Sequence, residues 1–337
     1  MRGTRFAALE FLPQELYARA ADSRVGDPGL PIRLASKRVR RRALTKDGKL
    51  TLLAADHPGR MVTRIREDQL RMADRHEFLS RVLRVMACST FDGLLATADV
   101  FDEMNLIQHF SKGRRFMDGK LVIGSVNRGG VAGSAFELDD RVTGYDVDGI
   151  VEMRLDGAKF LLRFDPESRD SAAALGYCVQ LVRECVARRI PIFVEPLPVK
   201  NSGGKVELER DAGKLQKLVG VVSGLGNSSS GVWLKLPYCE GFDKVAGSTT
   251  LPILLLGGEA GDDVTGLLRE IEYAMKAGPN VRGVLLGRNL LYPPGDDPLP
   301  LARAIEAIVH GGLGAKKAEA VMGRWVGKDA DLFSAND

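Results

Sequence analysis

From residue 50 onward the chain alternates short, almost wholly apolar runs with longer stretches whose apolar residues recur at helical spacing. "LTLLAA" (residues 50–55) is the first such run, and residues 67–88 after it have helical spacing. "GLLAT" (93–97) precedes a helical stretch at 100–110, and "LVIGS" (121–125) precedes a polar loop and a helical stretch near 146–155. "AKFLLRF" (158–164) leads into a helix over 171–189. "IPIFVE" (190–195) leads through a loop rich in glycine and charge to a helix near 210–222. "GVWLKL" (231–236), "LPILLLGG" (251–258) with a helix at 263–277, and "RGVLLGR" (282–288) with a helix at 299–309 complete the series. Near-continuous apolar runs are what parallel strands covered by helices require. Eight such units predict an α/β fold, a (β/α)8 TIM barrel. An open doubly wound sheet is the alternative; no GxGxxG follows the first run, which counts against it.

The expected organisation is an N-terminal extension packing on the barrel (residues 1–49), the barrel itself (50–312), and a C-terminal helix and tail (313–337). "LEFLPQELYARAAD" is expected to form a helix that closes the barrel's lower end. With 337 residues, 45% hydrophobic and 27% charged, the chain can bury one large core. Much of the net charge of +4 comes from "KRVRRR" at 37–42. That cluster has no interleaved aromatics, so it is expected to be a solvated or subunit-facing surface rather than a nucleic-acid site. A homo-oligomer is expected. Four cysteines without a CxxC pair, and no recognisable signal peptide, point to a reduced, cytoplasmic setting. No apolar run approaches a membrane span. Four scattered histidines argue against a zinc site, and no cofactor is expected.

In barrels of this kind the chemistry sits at the C-terminal ends of the strands. Those positions here hold Asp56 and His57, Lys159 and Arg163, Glu195, Lys235, Gly257 and Gly258, and Gly287 and Arg288. Alternation places Lys159, Leu161 and Arg163 on one face and Trp233, Lys235 and Pro237 on another. A buried lysine is costly unless paired or neutralised. If Lys159 and Lys235 both point inward, they approach each other across the barrel mouth, and each ammonium lowers the pKa of the other. An ordinary lysine, with pKa about 10.4, is neutral in roughly one molecule in 2,500 at pH 7. A shift to roughly 7–8 makes it a nucleophile able to form a Schiff base. Asp56 and Glu195 are candidates for proton transfer and for holding Lys159. The glycines with Arg288 suit a phosphate, because glycine lets backbone N–H groups approach an anion and arginine adds a bidentate donor.

Together "LLAADHPGR", "GAKFLLRFDPES", "PIFVEPLP", "VWLKLP", "PILLLGGE" and "GVLLGRNLL" resemble the class I, Schiff-base-forming aldolase superfamily. That group includes deoxyribose-phosphate, tagatose-bisphosphate and archaeal-type fructose-bisphosphate aldolases. The resemblance spans residues 50–292. It implies that Lys235 is the Schiff-base lysine, Asp56 an active-site carboxylate, Lys159 its charged neighbour and Glu195 a proton-transfer residue. It also implies a phosphate held by Gly257, Gly258, Gly287 and Arg288. Arg163 stands where the tagatose-type pattern has an aromatic residue, and is expected to bind a substrate carboxylate. The chain is also similar to an aldolase-like family of inositol breakdown. That likeness implies cleavage of 6-phospho-5-dehydro-2-deoxy-gluconate to dihydroxyacetone phosphate and malonic semialdehyde. The alternatives are a fructose- or tagatose-bisphosphate-type aldolase, a barrel isomerase or decarboxylase without an imine, and a non-catalytic sugar-phosphate-binding barrel.

Overall fold

The computed structural model describes residues 6–128, 130–202, 205–329 and 333. Eight parallel strands close into a barrel: β1 (Leu50–Ala54), β2 (Gly93–Ala96), β3 (Leu121–Ser125), β4 (Gly157–Phe164), β5 (Ile192–Ser202), β7 (Val232–Pro237), β8 (Ile253–Leu256) and β9 (Val281–Leu286). Pairing of β4 with β5 completes the ring. The (β/α)8 expectation holds. β5 runs beyond Glu195 and pairs antiparallel with an added strand, β6 (Lys205–Leu208), where a loop was expected. On β9, Gly283 at φ +128° sits where the pairing with β8 slips by one residue, a bulge that an L side chain would resist.

The outer layer contains α4 (Arg75–Cys88), α5 (Ala98–Phe110), α6 (Val147–Glu152), α7 (Arg169–Arg188), α8 (Ala212–Ser223), α9 (Phe242–Ala246), α10 (Val264–Ala277), α11 (Arg288–Leu291), α12 (Pro298–Val309) and α13 (Ala315–Trp325). α1 (Ala8–Phe11), α2 (Gln14–Gly26) and α3 (Leu30–Lys37) precede β1. The helix expected from residue 67 begins only at Arg75. Asp74 caps it by accepting from the Glu77 N–H at 3.0 Å, which fixes the start. The single N-terminal helix is split by Pro13, which lacks a backbone donor and restricts Leu12 to an extended conformation. α1 packs on α4, and α2 and α3 pack on α5, so these helices join the outer layer and do not close the lower end.

The basic cluster crosses that lower end instead. Arg38 is buried and donates to Asp156 at 2.8 Å and to the Lys120 carbonyl at 2.9 Å. Arg40 pairs with the same Asp156, and Arg41 with Asp92 at 2.7 Å. Leu44 packs against the apolar cluster of the barrel interior, as Trp233 does. Three of these arginines are therefore bound to carboxylates at the N-terminal ends of the strands, not simply solvated. The partners lie far off in sequence, which is why the local pattern gave no sign of them.

Candidate active site

A period-two walk up each strand carries the inward face from packing to chemistry. Leu50, Leu52 and Ala54 fill the interior of β1, and the next inward position is Asp56. Leu121 and Ile123 on β3 lead to Ser125; Phe193 on β5 leads to Glu195; Trp233 on β7 leads to Lys235. Leu285 on β9 leads to Gly287. The lower layer is apolar and the upper layer, at the C-terminal ends, is polar.

Glu195 stands between the two lysines. Its Oε2 lies 2.7 Å from Lys159 Nζ and its Oε1 3.1 Å from Lys235 Nζ. β4 and β7 flank β5, so the lysines meet on either side of one carboxylate and not across the mouth from each other. Lys159 Nζ is also 3.8 Å from Asp56 Oδ2. All four side chains are buried. Burial raises the Glu195 carboxyl, but Lys159 and Lys235 outweigh it and hold the group at about 2. Burial opposes ionisation of Asp56 too, and Arg128, Lys159, His57 and Lys235 overcome that to hold it well below the usual carboxylate range. Burial pulls Lys159 down, and Lys235 and Arg128 add to that, against Glu195 and Asp56.

His57 follows Asp56, with its Nδ1 3.9 Å from Asp56 Oδ1. Burial, with Arg288, Lys235 and Arg128, takes the imidazole down to about 3, so it is neutral at physiological pH. Its ring occupies the space beside Gly287, where an added Cβ would lie 2.2 Å from His57 Cε1. Gly287→Ala is therefore expected to push the ring into the site and cut activity, with little change in thermal midpoint; full activity in the alanine variant would contradict this placement.

Gly257 and Gly258 follow β8 directly. A Cβ on Gly257 would strike Asn289 at 2.4 Å, and one on Gly258 would come within 3.2 Å of Arg210. Asn289 Oδ1 is buried without a hydrogen-bond partner. Arg288 lies at the mouth, 3.6 Å from Glu259. A cavity of about 450 Å³ opens here, with Arg210, Tyr238, Gly258, Glu259 and Asn289 among its walls. Lys235 does not line it.

Arg163 already has partners of its own. It is inward-facing and buried, but its guanidinium binds the Glu137 carboxylate and the carbonyls of Gly130 and Glu137. It belongs to a network in the β3–α6 loop. There Arg60 binds Asp140 and the Asn127 carbonyl, and Asn127 exchanges two hydrogen bonds with the Leu161 backbone. Sequence reasoning missed Ser125 and Arg128, both on Asp56. Ser125 Oγ donates to Oδ2 at 3.0 Å and Arg128 Nη1 to the same oxygen at 2.9 Å. The available signal was a serine at the inward position after Leu121 and Ile123, followed by the polar Asn127-Arg128 pair.

The Cgl0159-like family model matches residues 48–309, the whole barrel. The chain belongs to the Cgl0159-like family. The crystal structure of Cgl0159 from Corynebacterium glutamicum is 35% identical, covers 90% of this chain and 99% of its own, and superposes with a TM-score of 0.84. An archaeal fructose-1,6-bisphosphate aldolase, solved with its catalytic lysine bound to the carbinolamine intermediate, shares the fold. It has 19% identity and a TM-score of 0.55, over 83% of this chain and 100% of its own. A 2-amino-3,7-dideoxy-D-threo-hept-6-ulosonate synthase from Archaeoglobus fulgidus is 34% identical over 80 residues, which span 24% of this chain and only 29% of the synthase. The barrel of this Cgl0159-like chain is thus one that class I aldolases also use. No described helix is long and apolar enough to cross a membrane.

Proposed function

We propose that the chain is a class I aldolase that cleaves a phosphorylated keto sugar through a Schiff base on Lys235. The arrangement Lys159–Glu195–Lys235, buried on three adjacent strands at the C-terminal end of the barrel, carries this reading. In the proposed cycle Lys235 gives up a proton to Glu195, the amine so formed attacks the substrate ketone, and that proton passes to the carbonyl oxygen to give a carbinolamine. Protonation of its hydroxyl and loss of water leave the iminium. A base then removes the proton of the hydroxyl two carbons away, the intervening C–C bond breaks, and its electron pair flows into the iminium to form an enamine. The aldehyde leaves. Protonation of the enamine carbon and hydrolysis return the ketone and the amine.

Glu195 touches both lysine nitrogens and is the proton carrier between them. It is ionised in the resting site, and a bound phosphate dianion would raise its affinity for a proton by adding negative charge nearby. Gly258 borders the cavity, and Gly257, Gly287 and Arg288 adjoin it at the ends of β8 and β9; together they suit that phosphate, which would anchor dihydroxyacetone phosphate as the enamine. A sugar-acid substrate such as 6-phospho-5-dehydro-2-deoxy-gluconate needs a carboxylate partner. Arg163 would have to release Glu137 to serve, and that weighs toward a neutral phosphosugar of the fructose- or tagatose-bisphosphate type. Four unpaired, buried cysteines fit a cytoplasmic setting.

Borohydride reduction with a panel of phosphosugars and phosphosugar acids is the test. The expected outcome is a stable adduct mass on the peptide that carries Lys235, from a neutral phosphosugar in preference to an acid. An adduct from the acid alone would reverse the substrate preference. Binding without any adduct would favour an imine-free isomerase, decarboxylase or sugar-phosphate-binding barrel.

A further inference from the structure

The two buried carboxylates are held by chemically different partners. Glu195 is met by two ammonium groups, each able to release a proton. Asp56 is met by a guanidinium, which does not. Arg128 Nη1 donates to Asp56 Oδ2 at 2.9 Å, and Nη2 donates to the backbone carbonyls of Asp56 and His57. Ser125 Oγ occupies the same Oδ2. Among the described residues Oδ1 accepts no hydrogen bond. The Arg128 side chain is only 9% exposed, and its backbone N–H donates to Thr143 Oγ1 at 3.0 Å. The residue therefore ties the loop after β1 to the loop after β3 as well as fixing a charge.

We propose that Arg128 is a positioning residue that holds Asp56 as a fixed carboxylate beside Lys159, so that Asp56 orders the lysine pair and Glu195 alone carries the proton. The proposal rests on the aldolase reading for its kinetic consequence but not for its electrostatic one. The titratable groups facing Asp56 are Arg128 after β3, Lys159 on β4, Lys235 on β7 and its own neighbour His57. Those facing Arg128 are Asp56, Arg60, Asp140 and Glu195. His57 is neutral near pH 7 and does not compete for Asp56. Of the attractive partners Arg128 acts most strongly on Asp56, so its loss makes that carboxylate easier to protonate.

Arg128→Met and Arg128→Lys test this in the full-length chain. For the methionine variant we expect kcat to fall about 10- to 100-fold, with KM within about twofold. The acid limb of the pH–rate profile should rise by about one pH unit or more. The lysine variant should return the limb most of the way. An acid limb unmoved in Arg128→Met, or a loss confined to KM, overturns the proposal. A wild-type chain that traps no adduct removes the aldolase reading without deciding this one. Acid unfolding of Asp56→Asn, Arg128→Met and the double variant then decides it. Removal of Arg128 should raise the acid-unfolding midpoint only where Asp56 is present. An equal shift in both backgrounds would mean a merely structural contact, and Arg128→Lys against Asp56→Asn replaces the comparison if the methionine variant does not fold.

Discussion

Replacing Lys235 with methionine is expected to lower turnover by about 10⁴-fold or more, the scale seen when a covalent nucleophile is removed. The chain should still fold. Methionine keeps much of the length of the lysine stem, and the neighbouring Leu234 and Leu236 are already fully buried. Loss of the Lys235 charge leaves Glu195 with Lys159 at 2.7 Å, a matched pair instead of an orphaned carboxylate. Lys235→Arg separates nucleophile from charge, because it restores a cation to Glu195 but cannot form an imine at neutral pH. Both variants should therefore be inactive, with the arginine variant closer to the wild type in unfolding midpoint. Activity of Lys235→Arg within tenfold of wild type would show that the site needs only the charge, and the Schiff-base reading would fail.

The strands were legible because their apolar runs are short, bounded and regularly spaced, and a closed parallel barrel is the architecture that hides eight of them. The inward carboxylates and lysines were legible for a related reason: a charged residue in such a run has no packing role. What joins them was not. Two lysines suggested mutual repulsion across the mouth, whereas the order of β4, β5 and β7 inserts Glu195 between them. Arg163 looked free because Glu137 lies in an irregular loop, and Arg38, Arg40 and Arg41 looked solvated because Asp92 and Asp156 lie on other units of the barrel. Alternation fixes which way a side chain points, and says nothing of which distant loop will meet it. The β5–β6 hairpin was missed because Pro196 and Pro198 argue against a continuing strand; they are tolerated because the pairing of β5 with β7 ends at Val194, so along this stretch β5 pairs on one side only, with β4 as far as Pro198, before β6 joins from Val199.

The largest stability effect is expected at Arg84, far from the site. Its side chain is fully buried on α4 and forks onto Asp297, Nε to Oδ1 at 3.0 Å and Nη2 to Oδ2 at 2.8 Å. Its remaining donors go to the carbonyls of Lys328 and Asp329 and to Cys88 Sγ, and the guanidinium lies 5.1 Å from the Phe11 ring centroid. One side chain thus binds the N-terminal helix, the start of α12 and the chain beyond α13 to the barrel. Arg84→Met removes the cation but leaves Asp297 mostly buried with its charge unmatched, a situation that costs roughly 3–5 kcal/mol. Denaturant unfolding should show that loss as a lower midpoint. Asp297 also caps α12 by accepting from the Leu299 N–H at 3.0 Å, so the second change must keep a capping oxygen. Arg84→Met with Asp297→Ser does so and removes the stranded charge. If the cost of the single variant is the unpaired carboxylate, the double variant should recover at least about 1 kcal/mol. A double variant less stable than Arg84→Met alone would instead assign the loss to the carbonyl and ring contacts of Arg84.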